Sequence, residues 1–227
     1  MAIRGRQGPQ SMTDHEIATL AGSASSSAAP SNAGSVFGPR SMRSTAAPAK
    51  TESPSVLQRA LRTATRSDHV ILDRLILHVD LTRREHYGLF LHLHYSALRN
   101  LEADWRAEDR ADFAAMLRSV QADLRTLGIT APPLYPSGRT SLHAGDALGI
   151  AYVLRGSRLG AAFLRRRVPS HYPTAYLDFI PALSWTDFLV QLESSSKPPN
   201  SNHEHDTIRG ARITFEIFVG LFNRATF

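Results

Sequence analysis

The chain has 227 residues, a formal net charge of +6 and no cysteine. The lack of cysteine excludes disulfides, sulfur-ligated zinc or iron–sulfur sites, and thiol catalysis. Nearly all basic residues are arginines scattered among acidic residues, without a basic run or a nucleic-acid-binding motif, so we expect no nucleic-acid partner. A few well-placed arginines suit a small ligand that carries carboxylate or phosphate groups.

The first quarter of the chain differs in composition from the rest. Of the 30 residues from 21 to 50, 22 are Ala, Ser, Gly or Pro, which bury too little apolar surface to offset the entropy lost on folding. We therefore predict a disordered tail over residues 1–52 and one folded domain over residues 53–227. No stretch approaches the roughly 20 apolar residues of a membrane span and no secretory signal is evident, so we expect a cytoplasmic protein without a membrane partner.

The first predicted helix begins with Ser53 as its N-cap and Pro54 as its first residue. Its apolar stripe recurs every three or four residues up to about residue 79. His69 lies four residues after Thr65 and three before Leu72, which predicts that the imidazole points to the buried side. A buried imidazole needs a polar partner, which is either a neighbour in the core or a ligand.

Further helices are predicted along the rest of the chain. Thr82 and Glu85 predict a capping box at the start of the second helix, and Gly128 predicts the C-cap of the third. The stripe of the third helix consists of Phe113, Met116, Leu117, Val120, Leu124 and Leu127. The remaining segments are a helix over 144–167, short helices over 172–180 and 185–193, a linker over 194–206 and a helix over 207–223. No segment alternates with period two, so the predicted fold class is all-α.

Two glycines, Gly156 and Gly160, lie in the interior of the predicted long helix. Each costs about 1 kcal/mol relative to alanine, so their presence needs a reason. One interpretation is close packing of two helices through small residues, which Ala161 and Ala162 would extend. The other is a flat ligand that lies against the backbone, over a helix that bends there.

The histidine and the glycines together predict a planar ligand between two helices. An imidazole would bind it from one side, and the glycine backbone would close the other. Haem fits this description, because imidazole is a common axial ligand of its iron and its face is flat and apolar.

At these positions the chain resembles the heme oxygenases. Leu61-Arg-Thr-Ala-Thr-Arg-Ser-Asp-His69 resembles their proximal-helix motif, and Tyr152-Val-Leu-Arg-Gly-Ser-Arg-Leu-Gly160 resembles the distal helix of the bacterial biliverdin-producing branch. The closing segment Gly210-Ala-Arg-Ile-Thr-Phe215 also agrees with the family. The resemblance covers about residues 55–225 and implies a multi-helical bundle in which haem lies between a proximal helix and a kinked distal helix.

The resemblance implies roles for individual residues on the proximal side. His69 would be the axial ligand of the haem iron, and Asp73 would accept a hydrogen bond from the other ring nitrogen. Arg62 and Tyr152 would contact the propionates, and Thr65 would also lie at the cofactor.

On the distal side, the resemblance assigns Gly156, Ser157 and Gly160 to the catalytic surface where dioxygen binds. Three departures from the family pattern occur here. Ser157 stands where the animal branch has an aspartate, Arg155 replaces a usual glutamate, and Ala161 replaces a third glycine. These departures affect rate and regiospecificity more than haem binding.

The implied reaction uses haem as both substrate and cofactor. Dioxygen and electrons from an external donor, such as a ferredoxin or a reductase, would open the ring to biliverdin, Fe²⁺ and CO. The product could supply a bilin-using photoreceptor. Two alternatives stay open: a non-catalytic haem- or bilin-binding carrier or sensor of the same fold, and a helical interaction protein in which His69 is an ordinary core residue.

Other polar residues suggest structural roles. His92 and His94 are two residues apart and therefore cannot form the pair, four residues apart, of a helical metal site; His94 on the stripe is predicted to be a satisfied core histidine. The arginines at 165–167 are predicted to be a solvated helix end, or a docking patch for an acidic reductase.

Overall fold

The computed structural model describes residues 54–130, 142, 144–195 and 201–225. The predicted tail over residues 1–52 and most of the loop after Gly128 lie outside these residues. Every regular element in the described ranges is helical, which confirms the all-α class. The helices are α1 (Val56–Leu77), α2 (Arg84–Leu101), α3 (Arg110–Thr126), α4 (Ala147–Arg165), α5 (Trp185–Ser195) and α6 (Ser201–Arg224), with 3-10 turns at Glu102–Asp104 and Ala144–Asp146.

The C-terminal helix α6 organises the bundle. It packs extensively against α1 on one side and α4 on the other, and also against α2. The buried side chains of α6 are mostly large and apolar, with Phe215, Phe218, Leu221 and Phe222 among them. Because each buried aromatic ring removes a large apolar area from water, this helix contributes much of the hydrophobic stabilisation.

Helix α3 follows the sequence prediction closely. All six residues of its predicted stripe are buried. Gly128 has φ of 64°, and its N–H donates to the Arg125 carbonyl at 2.9 Å. The Ile129 N–H donates to the Leu124 carbonyl at 2.9 Å, so the last carbonyls of the helix are satisfied as in a glycine C-cap. This cap is confirmed.

The starts of α1 and α2 differ from their predictions. Ser55, not Ser53, caps α1, and its Oγ accepts the Gln58 N–H at 3.2 Å. The capping box predicted from Thr82 is absent, because Thr82 donates both its N–H and its hydroxyl to Asp80 Oδ1 at 3.0 and 2.6 Å. The ionised carboxylate two residues earlier is the stronger acceptor, so it engages Thr82 and α2 begins without a side-chain cap.

The segment over 172–180 forms turns and not the predicted short helix. The carboxylate of Asp123 on α3 accepts the Ala175 and Tyr176 N–H groups at 2.9 and 2.8 Å, and so takes two amides that a helix would otherwise begin with. Proline at 173 and 181 limits the segment further. By contrast, the predicted helix after Ser184 is confirmed as α5, with the Ser184 Oγ accepting the Asp187 N–H at 3.1 Å.

The predicted linker before the last helix is helical from Ser201 onward. Arg209 pairs with Asp146 at 2.8 Å and with Asp206 at 3.1 Å, and Thr207 is fully buried. These tertiary contacts extend α6 toward the N-terminus through residues whose polar composition alone favours a loop.

Helices α4 and α6 cross at a pair of glycines. A Cβ on Gly149 would lie 1.9 Å from the Thr207 carbonyl oxygen, and a Cβ on Gly210 would lie 2.0 Å from the Asp146 carbonyl oxygen. Only glycine permits this approach of the two backbones.

Among the described helices, α4 is long and apolar enough to cross a membrane by length and composition alone, and 44% of that window is buried within the domain. The core helix of a folded domain passes the same test.

Candidate functional site

Two interactions indicate that α1 and α4 run in the same direction. At one end the positive charge of Arg62 on α1 acts on Tyr152 of α4. At the other end Arg167, just past α4, donates to the Leu77 and Val79 carbonyls at 3.1 and 2.7 Å. Each helix packs extensively on α6 and much less on the other, so the two are separated, and we call the region between them beside α6 the gap.

His69 and Gly160 lie at similar positions along their helices. Seven residues separate Arg62 from His69, and eight separate Tyr152 from Gly160. At about 1.5 Å of rise per residue, these separations correspond to roughly 10 and 12 Å along the helix axes. The predicted proximal and distal residues therefore lie at similar levels on α1 and α4.

The imidazole of His69 is half exposed, with 50% of its side chain accessible to solvent. The prediction that it is buried is therefore wrong, and so is the alternative in which it is an ordinary core residue. The reason is that the buried residues of α1 end at Thr65, while Leu72, Leu75 and Ile76 are only half-buried. The first half of the stripe is covered by the bundle, and the second half borders the gap.

Two contacts orient the His69 ring. Its Nδ1 lies 2.9 Å from Asp73 Oδ2, at the spacing predicted for a hydrogen-bond acceptor one turn along the helix. The ring meets Phe215 of α6 edge-on, with 5.9 Å between the ring centroids. An imidazole held at one nitrogen and along one edge has a defined direction, as in histidines that bind metal.

The predicted propionate contacts, Arg62 and Tyr152, lie near enough for the charge of Arg62 to act on the Tyr152 phenol. Arg62 is exposed and Tyr152 is half-buried against the Trp185 ring, with centroids 5.5 Å apart. Burial raises the pKa of the Tyr152 phenol, and the charge of Arg62 lowers that pKa in part. Thr65 differs, because it is buried and its hydroxyl donates to the Leu61 carbonyl at 2.8 Å. It forms part of the wall and its hydroxyl proton is already engaged.

The two predicted distal glycines have different surroundings. No atom of a neighbouring element in the described ranges lies within 4 Å of the position that a Cβ would take on Gly160. A Cβ on Gly156 would instead meet two ring carbons of Trp185 at 3.6 and 3.7 Å. Neither glycine approaches the backbone of another helix. Close helix packing, the first interpretation of this pair, therefore belongs to Gly149 and Gly210.

The neighbours of Gly156 have engaged side chains. Ser157 is exposed, and its hydroxyl donates to the Leu154 carbonyl at 2.8 Å. Arg155 is buried and forms ion pairs with Asp109 and Asp112 at 2.8 and 2.9 Å. Its guanidinium also lies over the rings of Phe113 and Phe188. Arg155 therefore joins α4 to α3 inside the bundle and does not face the gap.

His94 is a satisfied core histidine, as predicted. It is 7% exposed, and its Nδ1 lies 2.9 Å from the Phe90 carbonyl oxygen. Burial lowers the pKa of His94 from 6.5 to about 4. Among the residues that the structure describes, no group of three or more His, Asp or Glu is arranged to hold a metal ion.

The arginine run at the end of α4 is only partly solvated. Arg166 is exposed and Arg165 pairs with Asp178 at 3.3 Å, but Arg167 binds the end of α1. The prediction of a solvated run is therefore wrong for Arg167. The carbonyl groups at the C-terminal end of a helix attract a cation. Arg167 lies at the C-terminal end of α1 and not at that of α4, the helix that carries the arginine run.

The sequence did not predict the contact of Trp185 with Gly156 or that of Arg167 with the end of α1. Both residues act through contacts with residues far away in the chain, so no local pattern marks them. A separate cleft of about 420 Å³ is lined by residues 103–108, Leu142 and Ala147, and it contains none of the predicted site residues. Neither models of known protein families nor curated proteins gave a match to this chain.

Proposed function

We propose that this protein is a heme oxygenase that binds haem between α1 and α4. With dioxygen and external electrons it would convert haem to biliverdin, Fe²⁺ and CO. The proposal rests on a half-exposed, oriented imidazole on α1 and an uncovered helix-interior glycine at a similar level on α4. The proposed fold is accordingly a heme oxygenase-like arrangement of the all-α bundle.

The uncovered glycine supports a ligand because it has no packing role. Glycine in a helix interior costs about 1 kcal/mol relative to alanine. At Gly149 that cost is offset by the close crossing with α6, but Gly160 has no such contact. A flat molecule can lie against the α4 backbone only where the residue has no side chain, which would explain the glycine at position 160.

The imidazole supports haem in particular. Asp73 engages Nδ1 of His69, so the iron would bind Nε2, and the carboxylate would raise the basicity of the ligand. Because the side chain is half exposed, a ligand can reach it from the gap.

Arg62 and Tyr152 support a ligand with carboxylate groups at one edge. The raised pKa of Tyr152 keeps its hydroxyl protonated, so it can donate a hydrogen bond. Arg62 adds a positive charge that remains mobile in solvent. The two together would hold propionates at the end of the gap where α1 and α4 begin.

The oxidative chemistry would come from the haem iron and dioxygen, with electrons from a ferredoxin or a reductase. The chain would hold the macrocycle between His69 and Gly160, and Phe215 and the α4 backbone would exclude water from its faces. The oxygen of Ser157 can accept a hydrogen bond from a water molecule, because its own proton is directed to the Leu154 carbonyl.

A haem or bilin carrier is the second candidate, and the distal side favours it. Ser157 is neutral, and Arg155 is held in the interior by two aspartates. The described distal surface near Gly160 therefore offers a weaker set of proton donors than an acidic side chain would.

One experiment separates these functions. Purified protein is mixed with hemin, and a reductant and air are then added while the absorption spectrum is recorded. A Soret band that decays into a biliverdin spectrum is the expected result. A Soret band that persists would favour the carrier, and the absence of a Soret band would contradict haem binding altogether.

A further inference from the structure

Trp185 covers one of the two predicted distal glycines of α4. Its ring carbons lie at ordinary van der Waals distance from the position of a Cβ on Gly156, at 3.6 and 3.7 Å. The ring also stacks on Phe188, with centroids 5.7 Å apart and planes at 28°, and contacts Tyr152. Gly156 is thus covered by indole, while Gly160, one turn further on, is open.

The segment that carries Trp185 is fixed by hydrogen bonds to α3 and α4. The Asp112 carboxylate accepts the Ala182 and Leu183 N–H groups at 2.9 and 3.3 Å. Arg155 donates to the Leu183 carbonyl at 3.0 Å and is itself paired with Asp112. These bonds hold the backbone immediately before Trp185, and the contacts with Phe188 and Tyr152 hold the indole itself over Gly156.

The position of the indole determines whether a flat ligand on α4 lies at the level of His69. Gly156 lies four residues before Gly160, which is about 6 Å along the helix axis. A flat ligand centred over Gly156 would be displaced from the level of His69 by about that distance. Coordination of a metal by imidazole needs a contact of about 2 Å, so such a displacement would break it.

We propose that Trp185 is a specificity-determining residue that confines the flat ligand to the Gly160 end of α4, in register with His69. This inference rests on the proposed function. The Trp185 ring would limit how far the macrocycle can slide along α4 and which of its edge substituents can lie against the indole. Because these substituents differ around the ring, Trp185 would favour one in-plane rotation and thereby one bridging carbon on the reactive side, and the isomer of the biliverdin product reports that choice.

The test compares Trp185→Ala, Trp185→Phe and the native full-length chain. Val190→Ala is the matched control, because Val190 lies on the same helix α5 and is 57% exposed. Thermal unfolding followed by circular dichroism first identifies folded variants, and Trp185→Phe keeps an aromatic ring if Trp185→Ala does not fold. Hemin affinity, the rate of hemin loss and the biliverdin isomer ratio are then measured.

Loss of one aromatic wall is expected to weaken hemin binding about 3- to 10-fold and to speed hemin loss by a similar factor. Trp185→Ala should also convert one dominant biliverdin isomer into a mixture, with Trp185→Phe intermediate and Val190→Ala unchanged. If the native chain retains hemin without turnover, affinity and hemin loss alone decide the matter. Unchanged values in a folded Trp185→Ala would overturn this inference but leave the proposed function intact. No hemin binding by the native chain would overturn both.

Discussion

One face of α4 is covered by other parts of the domain along the first half of the helix and is uncovered along the second half. Gly149, Gly156 and Gly160 are spaced seven and four residues apart and so share that face. At Gly149 the backbone of α6 lies so close that a Cβ would overlap a carbonyl oxygen. At Gly160 no described neighbour lies within 4 Å of the Cβ position. The same residue type therefore serves helix packing in one region and leaves room in the other.

The two regions also differ in their histidines. His94 lies in the sealed region among aromatic rings, 7% exposed, with Nδ1 engaged by a backbone carbonyl. His69 lies in the open region, half exposed, with Nδ1 engaged by a carboxylate. A sealed imidazole stabilises or destabilises the fold according to its protonation, whereas an accessible one can bind a ligand. The difference between the regions is therefore accessibility, and residue type alone does not reveal it.

The largest effect is expected from Gly149→Ala. The added Cβ would lie 1.9 Å from the Thr207 carbonyl and 2.5 Å from the Ala211 nitrogen, so α4 and α6 must separate. Overpacking of this kind costs about 3 kcal/mol, which corresponds to a fall in Tm of roughly 6–12 °C for a domain of this size. Thermal unfolding of the variant measures the loss. A native-like Tm would contradict the close crossing.

The free energy of unfolding should also depend on pH through His94, with an effect of similar size. Burial keeps the pKa of His94 near 4 in the folded state, so the unfolded chain, with a value near 6.5, binds more protons between these limits. Stability from this residue is complete above pH 6.5 and falls as the pH is lowered toward 4, by about 3 kcal/mol in total.

Urea unfolding at about pH 7, 5.5 and 4.5 measures this dependence. His94→Gln is the matched variant, because its amide can still donate to the Phe90 carbonyl but does not titrate. The native chain should lose more stability than the variant across the window. Parallel curves would show that His94 is not sealed.

The substitution Gly160→Ala tests the uncovered half of the α4 face. Because its Cβ would meet no described neighbour, the variant should gain up to about 1 kcal/mol of stability without ligand, from the higher helix propensity of alanine. The same methyl group should displace haem by about 1 Å and slow turnover about 100-fold. Gly220→Ala is the control, since its Cβ would contact only the flexible Arg224 side chain.

The control should gain stability and retain turnover. Parallel losses of stability and turnover in Gly160→Ala would instead support the interpretation that this glycine serves close helix packing. Unchanged turnover with intact stability would show that Gly160 does not lie over the haem.

Features that depend on local interactions were predictable from the sequence. The stripe of α3 and the glycine cap at Gly128 were confirmed, because helix periodicity and a positive φ depend on residues within a few positions. The prediction failed where a nearby carboxylate offers Thr82 another hydrogen bond. Thr82 donates to Asp80, so the predicted capping box does not form. Similarly, Asp123 takes the amides of Ala175 and Tyr176 from more than 50 residues away.

The exposure of the predicted site residues could not be read from the sequence. The stripe of α1 continues past His69 in the sequence, but burial depends on how far α6 and its neighbours cover it, which no local pattern encodes. The difference between Gly156 and Gly160 has the same origin. It depends on Trp185, which is 29 residues from Gly156 in the chain and is fixed there by Asp112 and Arg155.

The absorption spectrum of bound hemin tests the proposal that His69 binds the iron of a haem that lies against Gly160. The spectrum is recorded for hemin mixed with native protein, with His69→Ala, and with His69→Ala plus added imidazole. His78→Ala is the matched control, an exposed histidine at the end of the same helix. Because the pair of His69 with Asp73 is exposed, its loss should change stability by no more than about 0.5 kcal/mol.

We expect a Soret band typical of imidazole ligation for the native chain and for His78→Ala. For His69→Ala we expect a shifted band and almost no turnover, with recovery of the native spectrum when imidazole enters the space left by the side chain. A native spectrum and native turnover in His69→Ala without imidazole would contradict the assignment of the axial ligand and, with it, the proposed site between α1 and α4.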